Sequence, residues 1–364
     1  MQLLLLADGI RHPNFLGVMV KSDPESWLKV TDGGLYCVPG DFYIDPHRPA
    51  DRAVITHGHA DHARWGNACV LATEGTLAIM QARYGDKAWT SRQALSYGES
   101  VRVGDVDVSL SPAGHVLGSA QAVLTYKGTR VVISGDYKRR RDPTCTAFEP
   151  VPCDVFVTEA TFGLPVFRHP PDGEEVGKLL RSLETFPERT HLLGAYALGK
   201  AQRLICLLRE AGYDRPIHLH GAMVALCKLY EDHGVDLGPL EPVGHRDKKG
   251  FAGEIVLCPP SALADRWSRG FKDPLTVMAS GWMRVRQRAR QRNVELPLIL
   301  SDHADWHELT QTLDDVGAPR VWVTHGREEA LVHHAKAKGF QAKALSLIGR
   351  EEEDEADLPA GITP

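Results

Sequence analysis

The 364-residue chain has no Cys-x-x-Cys pair, and its seven cysteines (37, 69, 145, 153, 206, 227 and 258) are an odd number. They read as reduced, mostly buried thiols, and so predict a cytoplasmic protein. Long apolar runs are also missing. The longest early one, Leu3–Ala7, is far too short to span a bilayer and lacks the basic flank of a secretory signal. No repeat recurs at a 20–50 residue period, which argues against a solenoid or propeller, and no low-complexity linker divides the chain. Aromatics make up only 7%, but 43% of the residues are hydrophobic and 24% charged. That supply of apolar residues supports a substantial core and excludes global disorder or a fibrous fold. The length fits one large domain or two ordinary ones.

Strong net charge is absent too: the formal value is −5. The average conceals local bias. The segment EEEDEAD (351–357) carries six acids and reads as a solvated, disordered tail; without them the balance moves from −5 to +1. Lys138–Arg141 is a run of four bases, and arginine recurs at 284, 286, 288, 290 and 292. Each run taken alone reads first as a solvated face, although a local basic field is compatible with the net charge.

Histidine is abundant, with 17 copies. Several short apolar, β-branched runs end in a potential metal ligand or acid–base group. Ala53–Thr56 leads to His57, and Val106–Leu110 leads through Ser-Pro-Ala-Gly to His115. Arg130–Ser134 leads to Asp136, Val155–Thr158 to Glu159, Leu298–Leu300 to Ser301-Asp302-His303, and Val321–Thr324 to His325. Such runs predict buried strands. Six of them place His, Asp and Glu along one rim of a sheet or sandwich, which core packing does not explain. Between Glu159 and His303 the texture becomes alternating strand and helix. Strands are expected at Leu192–Leu198, Pro216–Leu219, Ile255–Leu257 and Leu275–Ala279, with helices through about Glu210 and over Ala222–Asp232. This pattern predicts an α/β unit with a largely parallel sheet, inserted into the first domain.

The densest local signal is His57-Gly-His59-Ala-Asp61-His62. Alternate residues leaving a strand end point the same way, so His57 and His59 can share one metal. Asp61 and His62, opening the helix expected to follow, can face a second. His115 is the candidate to complete the first site, Asp136 to bridge and His325 to close the second. Imidazole and carboxylate donors suit zinc and also manganese or iron. Two such ions lower the pKa of bound water from about 16 to about 7 and stabilise charge on a phosphoryl oxygen.

HGHADH, the PAGH ending in His115 and the SGD ending in Asp136 resemble the metallo-β-lactamase fold. Glu159 in TEAT, His303 in SDHAD and His325 in THG are similar to the three extra motifs of β-CASP nucleases. SGDYK (134–138), YALGKAQ (196–202), PPSA (259–262), SGWM (280–283) and SDHADW (301–306) resemble bacterial ligase-associated DNA exonucleases of the Artemis-like branch. The match runs from about Leu35 to about Gly339. It implies an αββα sandwich with an inserted α/β β-CASP domain: residues 1–161 and 297–350 form the sandwich, 162–296 the insertion and 351–364 the acidic tail. It also implies two divalent ions, zinc first and manganese as an alternative. His57, His59 and His115 would hold one, Asp61, His62 and His325 the other, with Asp136 bridging. Asp45, after Phe42–Ile44, matches the acidic motif that orients the histidine loop. His303 matches a general acid oriented by Glu159, a task its ordinary pKa suits.

The implied activity is 5′→3′ exonucleolytic hydrolysis of DNA ends in repair, alongside an ATP-dependent DNA ligase and a helicase, with no membrane partner. A histidine at 325 is the commoner pattern in RNA-processing members, so a ribonuclease J-like activity is the first alternative. A small-molecule metallo-hydrolase is the second, and it explains neither the insertion nor the Glu159/His303 pair. A non-catalytic scaffold would be missing ligands, and none is missing. Weaker nucleic-acid contacts are expected at Gly199-Lys200, where a helix start offers amides and an ammonium to a phosphate. His220, Ser280 and Gly281 are others, as are Arg284, Arg286 and Arg288, which share one face if the segment is extended. The remaining histidines, His169 among them, read as surface or satisfied residues.

Overall fold

The computed structural model describes residues 21–244 and 247–345. The acidic segment expected at 351–364, with His12 and His245, lies outside them. Among the described residues, nineteen strands form three sheets. The first runs, in hydrogen-bonded order, β1 (Leu28–Thr31), β2 (Gly34–Cys37), β3 (Phe42–Ile44), β4 (Arg52–Val54), β5 (Asn67–Ala72) and β6 (Trp89–Ala94). The second contains β7 (Ser100–Val103), β8 (Val106–Pro112), β9 (Ala120–Tyr126), β10 (Thr129–Ile133), β11 (Val155–Ala160), β18 (Arg320–Gly326) and β19 (Gln341–Ala344), ordered β19-β18-β11-β10-β9-β8-β7. The third contains β12 (His191–Gly194), β13 (Ile217–Leu219), β14 (Leu240–Pro242), β15 (Ile255–Cys258), β16 (Leu275–Ala279) and β17 (Leu296–Leu298), ordered β14-β13-β15-β12-β16-β17 and parallel throughout. Eight helices accompany them: α1 (Pro24–Trp27), α2 (Glu74–Tyr84), α3 (Asp172–Thr185), α4 (Lys200–Glu210), α5 (Gly221–Asp232), α6 (Arg286–Gln291), α7 (Trp306–Val316) and α8 (Glu328–Ala337). The chain is α/β, and none of its described helices is long and apolar enough to cross a membrane.

The layering follows from which side chains each element must bury. One apolar cluster joins the first two sheets face to face: Ile44, Val54 and Leu71 meet Val108, Leu124, Ile133, Val157 and Trp322. On the outer face of the first sheet, Ala53, Ile55 and Val70 pack on Leu77 and Met80 of α2. On the outer face of the second, Val132, Phe156 and Val321 pack on Leu309 and Leu313 of α7 and Leu331 and Ala335 of α8. The third sheet has its own core. There Leu193, Ile217, Leu257 and Val277 meet Leu179 of α3, Leu204 and Leu208 of α4 and Met223 and Tyr230 of α5.

The β-branched runs form strands close to where the sequence placed them; His57, His115 and Asp136 follow strand ends, and Glu159 and His325 lie within the last residues of β11 and β18. Two local expectations fail. No helix opens at Asp61: the loop 55–66 makes a single turn closed by the amides of His62 and Ala63 on the His59 carbonyl, at 3.2 and 2.7 Å. The arginine segment is helical, a 3-10 turn over Gly281–Arg284 followed by α6. Consecutive residues there turn by about 100°, so positions two apart diverge and no one-sided stripe forms.

Candidate metal centre

The ends of β3, β4, β8, β10 and β18 in the two facing sheets bring candidate residues together. Asp45 follows β3, His57 to His62 follow β4, His115 lies in the β8–β9 turn and Asp136 follows β10. His325 lies within β18, next to β11. Three donor groups result: His57, His59, His115 and Asp136; His62, Asp136 and His325; and Asp136, Glu159 and His303, each with one donor atom per residue within 4.8 Å of the others. All are buried, and Asp136 belongs to all three. Asp61 sits at the rim, its Oδ2 3.4 Å from His62 Nε2. Gly135, with φ +56°, lets the Ser134–Asp136 turn lie against Thr56: a Cβ there would come within 2.7 Å of Thr56 Oγ1.

Outer hydrogen bonds fix how each ring faces the centre. His62 Nδ1 donates to Asp45 Oδ2 at 2.8 Å. His57 Nδ1 donates to Thr56 Oγ1 at 3.1 Å, and that hydroxyl donates in turn to Asp45 Oδ2 at 2.6 Å. His115 Nδ1 donates to the Asp302 carbonyl at 2.9 Å. His59 is held the other way round, its Nε2 donating to the Leu198 carbonyl at 3.4 Å. In the neutral rings the inward atoms are then lone-pair nitrogens. His57 Nε2, His62 Nε2 and His115 Nε2 lie 3.5, 3.3 and 4.0 Å from Asp136 Oδ2, and His115 Nε2 is 2.9 Å from His59 Nδ1. His57 Nε2, Asp61 Oδ2 and Asp136 Oδ2 are buried without a hydrogen-bond partner. Lone pairs converging on lone pairs repel unless a cation lies between them, so the donor set fits divalent ions.

The electrostatics agree. Burial, then the neighbouring His62, holds His57 well below the ordinary histidine range. Burial, then His303, pushes His115 down to about 4. Burial opposes ionisation of Asp136, yet His62 and His325 outweigh it and keep the carboxyl well below its usual range. Burial likewise opposes protonation of His325, but the charge of Asp136 and the 3.1 Å hydrogen bond from His325 Nδ1 to its Oδ1 raise it. His325 adopts φ +61°, a left-handed conformation that is uncommon for a residue with a Cβ.

His303 lies beside this cluster, its ring 4.6 Å from that of His115. Its Nδ1 donates to Glu159, 3.2 and 3.0 Å from the two carboxylate oxygens. Glu159 is itself fixed, accepting from the Tyr137 amide at 2.7 Å and from Thr161 Oγ1 at 2.5 Å.

The weaker candidates part company with the site. Lys200 is buried against Asp302, Nζ to Oδ1 3.1 Å, and its ammonium sits over the Tyr196 ring; it offers no exposed charge for a phosphate. His220 caps α5, its Nδ1 accepting from the Ala222 amide at 3.1 Å, and stacks edge-on against Trp267. Ser280 caps the following turn through Trp282 N at 3.2 Å, and Gly281 backs directly onto Phe162. Arg284 Nε donates to the Val166 carbonyl, Arg288 stacks on Trp282 at 4.0 Å, and Arg286 is exposed. In the run Lys138–Arg141, Lys138 is buried, Arg139 and Arg140 are half-buried and only Arg141 is exposed; they pair with Glu308, Asp315, Asp305 and Glu210 respectively. His169, expected from sequence to be a surface or satisfied residue, is neither. It is 7% exposed, packs edge-on against Phe162, and has no hydrogen bond at either ring nitrogen. Phe162 is a near neighbour in sequence, but Gly281 and Asp305, which also lie against His169, are more than 100 positions away, and that enclosure has no local sequence signal.

No family model matches the chain. It is 29% identical over 320 residues to a protein of Opitutus terrae named "Probable DNA ligase", a match covering 86% of this chain and 30% of that one. The chain thus spans about a third of that relative's length. It is 26% identical over 383 residues to Ribonuclease TTHA0252 of Thermus thermophilus, covering 84% of this chain and 88% of the other. Among solved structures, a protein of unknown function from Enterococcus faecalis superposes with a TM-score of 0.56 at 16% identity, over 82% of this chain and 80% of that one. That likeness concerns the fold alone. A ribonuclease-named relative on one side, and a buried, pre-oriented donor cluster on the other, fit the metal-dependent β-CASP nucleases that the motifs of this chain resemble.

Proposed function

We propose that the chain is a dinuclear metal-dependent exonuclease that hydrolyses phosphodiester bonds at DNA ends, in the 5′→3′ direction. The observation that carries the reading is the sharing of Asp136 by both histidine groups and by the His303–Glu159 pair. His57, His59 and His115 would hold one ion, and Asp61, His62 and His325 the other, with Asp136 common to both and Asp45 orienting His62. Zinc is the proposed metal, with manganese the alternative. Divalent ions held there would supply Lewis acidity for attack of water on a phosphoryl group. His303, held by Glu159 at Nδ1, would protonate the departing 3′ oxygen from Nε2. Arg284 and Arg286 are the remaining proposed contacts to the polynucleotide backbone.

The same proposal assigns the two facing sheets with their outer helices to a metallo-β-lactamase αββα sandwich. The third sheet is the inserted β-CASP domain, near 162–296. A cytoplasmic location and a functional association with a DNA ligase and a helicase belong to it as well. The ligase-named relative, matched over most of this chain, supports the DNA assignment. The ribonuclease-named relative, matched over most of both chains, favours a second reading in which RNA is the substrate.

The test is degradation of end-labelled single- and double-stranded DNA and RNA, side by side, with Zn²⁺ or Mn²⁺. Stepwise loss from labelled DNA 5′ ends is expected. Activity confined to RNA would replace the first reading by the second, and activity on neither would remove both.

A further inference from the structure

Three buried cations hold the segment 301–303, one for each residue. Arg203 Nη1 donates to the Ser301 carbonyl at 2.5 Å, Lys200 Nζ pairs with Asp302 Oδ1 at 3.1 Å, and Lys138 Nζ donates to the His303 carbonyl at 3.1 Å. Arg203, Lys200 and Lys138 are 3%, 4% and 1% exposed. Removing three cations from water is costly unless each is matched. Each is: Lys138 faces Glu308 at 3.7 Å, Lys200 faces Asp302, and Arg203 lies between Asp172 at 2.5 Å and Asp142 at 3.8 Å. A network this buried fixes the backbone of the loop that carries His303.

Two of the three cations stand on the first turn of α4. The residue just before that turn's cap, Leu198, accepts from His59 Nε2, and the Asp302 carbonyl accepts from His115 Nδ1. The start of α4 therefore touches one candidate ligand directly. It reaches a second ligand, and the His303 acid, through the loop it grips. Lys200, which with Gly199 was expected to offer its ammonium to a phosphate, faces inward onto Asp302 instead.

We propose that Lys200, Asp302 and Arg203 form a positioning bracket that sets the orientation of His115 and His303, so that a helix of the third sheet aligns the donors carried by the other two sheets. The inference rests on the metal-dependent reading above. None of the three touches the reacting atoms, and each acts through the backbone of 301–303 or its carbonyl at 302.

The test is zinc affinity of folded protein, by competition with a chromophoric chelator, with folding checked by circular dichroism and gel filtration. Lys200→Met alone strands a buried carboxylate, so the primary variant is Lys200→Met/Asp302→Asn, which removes both charges and keeps their volume. It should bind the first ion about 10-fold more weakly, the low end of the effect of losing an outer partner of a metal-bound histidine, because the 302 carbonyl that accepts from His115 is displaced rather than removed. Lys200→Arg should recover most of that loss. Arg203→Lys keeps the charge against Asp142 and Asp172 but shortens the reach to Ser301, and should also weaken zinc, so it decides the matter if the double variant does not fold. On the substrate the wild type degrades, kcat should fall with KM unchanged. Folded variants with wild-type zinc affinity overturn the bracket and leave the functional reading intact. A wild type that takes up no ion overturns the functional reading, and the bracket with it.

Discussion

Asp45→Asn replaces one oxygen by an amide nitrogen and should cost the site an ion without cost to the fold. In the native protein Asp45 accepts three hydrogen bonds, from Thr56 N at 2.7 Å, Thr56 Oγ1 at 2.6 Å and His62 Nδ1 at 2.8 Å. Asparagine can keep the first through its remaining oxygen. Its NH₂ group then faces Thr56 Oγ1, which can turn its hydroxyl and accept, and His62 Nδ1, which must give up its proton. The proton moves to Nε2, the atom 3.3 Å from Asp136 Oδ2 and 3.4 Å from Asp61 Oδ2. A protonated Nε2 cannot ligate. Restoring the ligating tautomer sets Nδ1–H against N–H and forfeits a charge-assisted hydrogen bond worth about 1.5–3 kcal/mol. That converts to roughly 10–100-fold in affinity for the ion that His62 would hold. Equilibrium dialysis against buffered zinc, followed by elemental analysis, measures it. Thr56→Val is the companion variant, because it removes the acceptor of His57 Nδ1 and should fall on the other ion. If Asp45→Asn keeps both ions at wild-type affinity, the tautomer argument is wrong.

His303→Ala should lower kcat by about 10²–10⁴ with metal content unchanged; loss of an ion instead would make His303 a ligand. In metal-stripped protein, His115 is pushed down to about 4 by burial and then His303. Its contribution is therefore complete above the unfolded value near 6.5 and is lost as pH falls from there towards about 4, by up to about 3 kcal/mol. A melting temperature of the stripped protein that stays flat between pH 8 and 5 would contradict this. Gly281→Ala places a Cβ 2.4 Å from Phe162 Cζ and 3.0 Å from His169 Cε1, and should destabilise by about 1–3 kcal/mol in thermal melts. An unchanged melting temperature would show that the Phe162–Phe167–Trp282 cluster yields freely.

The strand ends that carry the candidate donors were legible because two independent signals coincided there: a β-branched run, and a ligand type within a few residues of its end. His57, His115, Asp136 and His325 all carry that signature. Period-two recurrence of arginine was a weaker guide. Polar side chains in an exposed segment do not report whether the backbone is extended or helical, and the helix of Arg286–Gln291 prevailed. The basic run at 138–141 illustrates another limit. Sequence supplies charges but not their partners, and Glu308, Asp305 and Asp315 come from a helix more than 150 residues away. For the same reason Lys200 read as an open ammonium until Asp302 was seen against it.

The position of β18 beside β11 has a consequence for biogenesis. β11 ends at Ala160 and its parallel neighbour begins at Arg320, so about 160 residues are synthesised between them. At roughly 5–20 residues per second, β11 waits roughly ten to thirty seconds with one edge bare. It is buried along its whole length in the finished protein, a hydrophobic strand of the kind that recruits other chains when left open. The third sheet can form during that interval, since its strands are contiguous in sequence and share a core of their own. Closing so long a loop adds little entropy cost, because that cost grows only with the logarithm of length. Expression should therefore be limited by kinetics rather than by final stability. Truncations that end before residue 320 should accumulate as aggregates, even where the third sheet within them has folded.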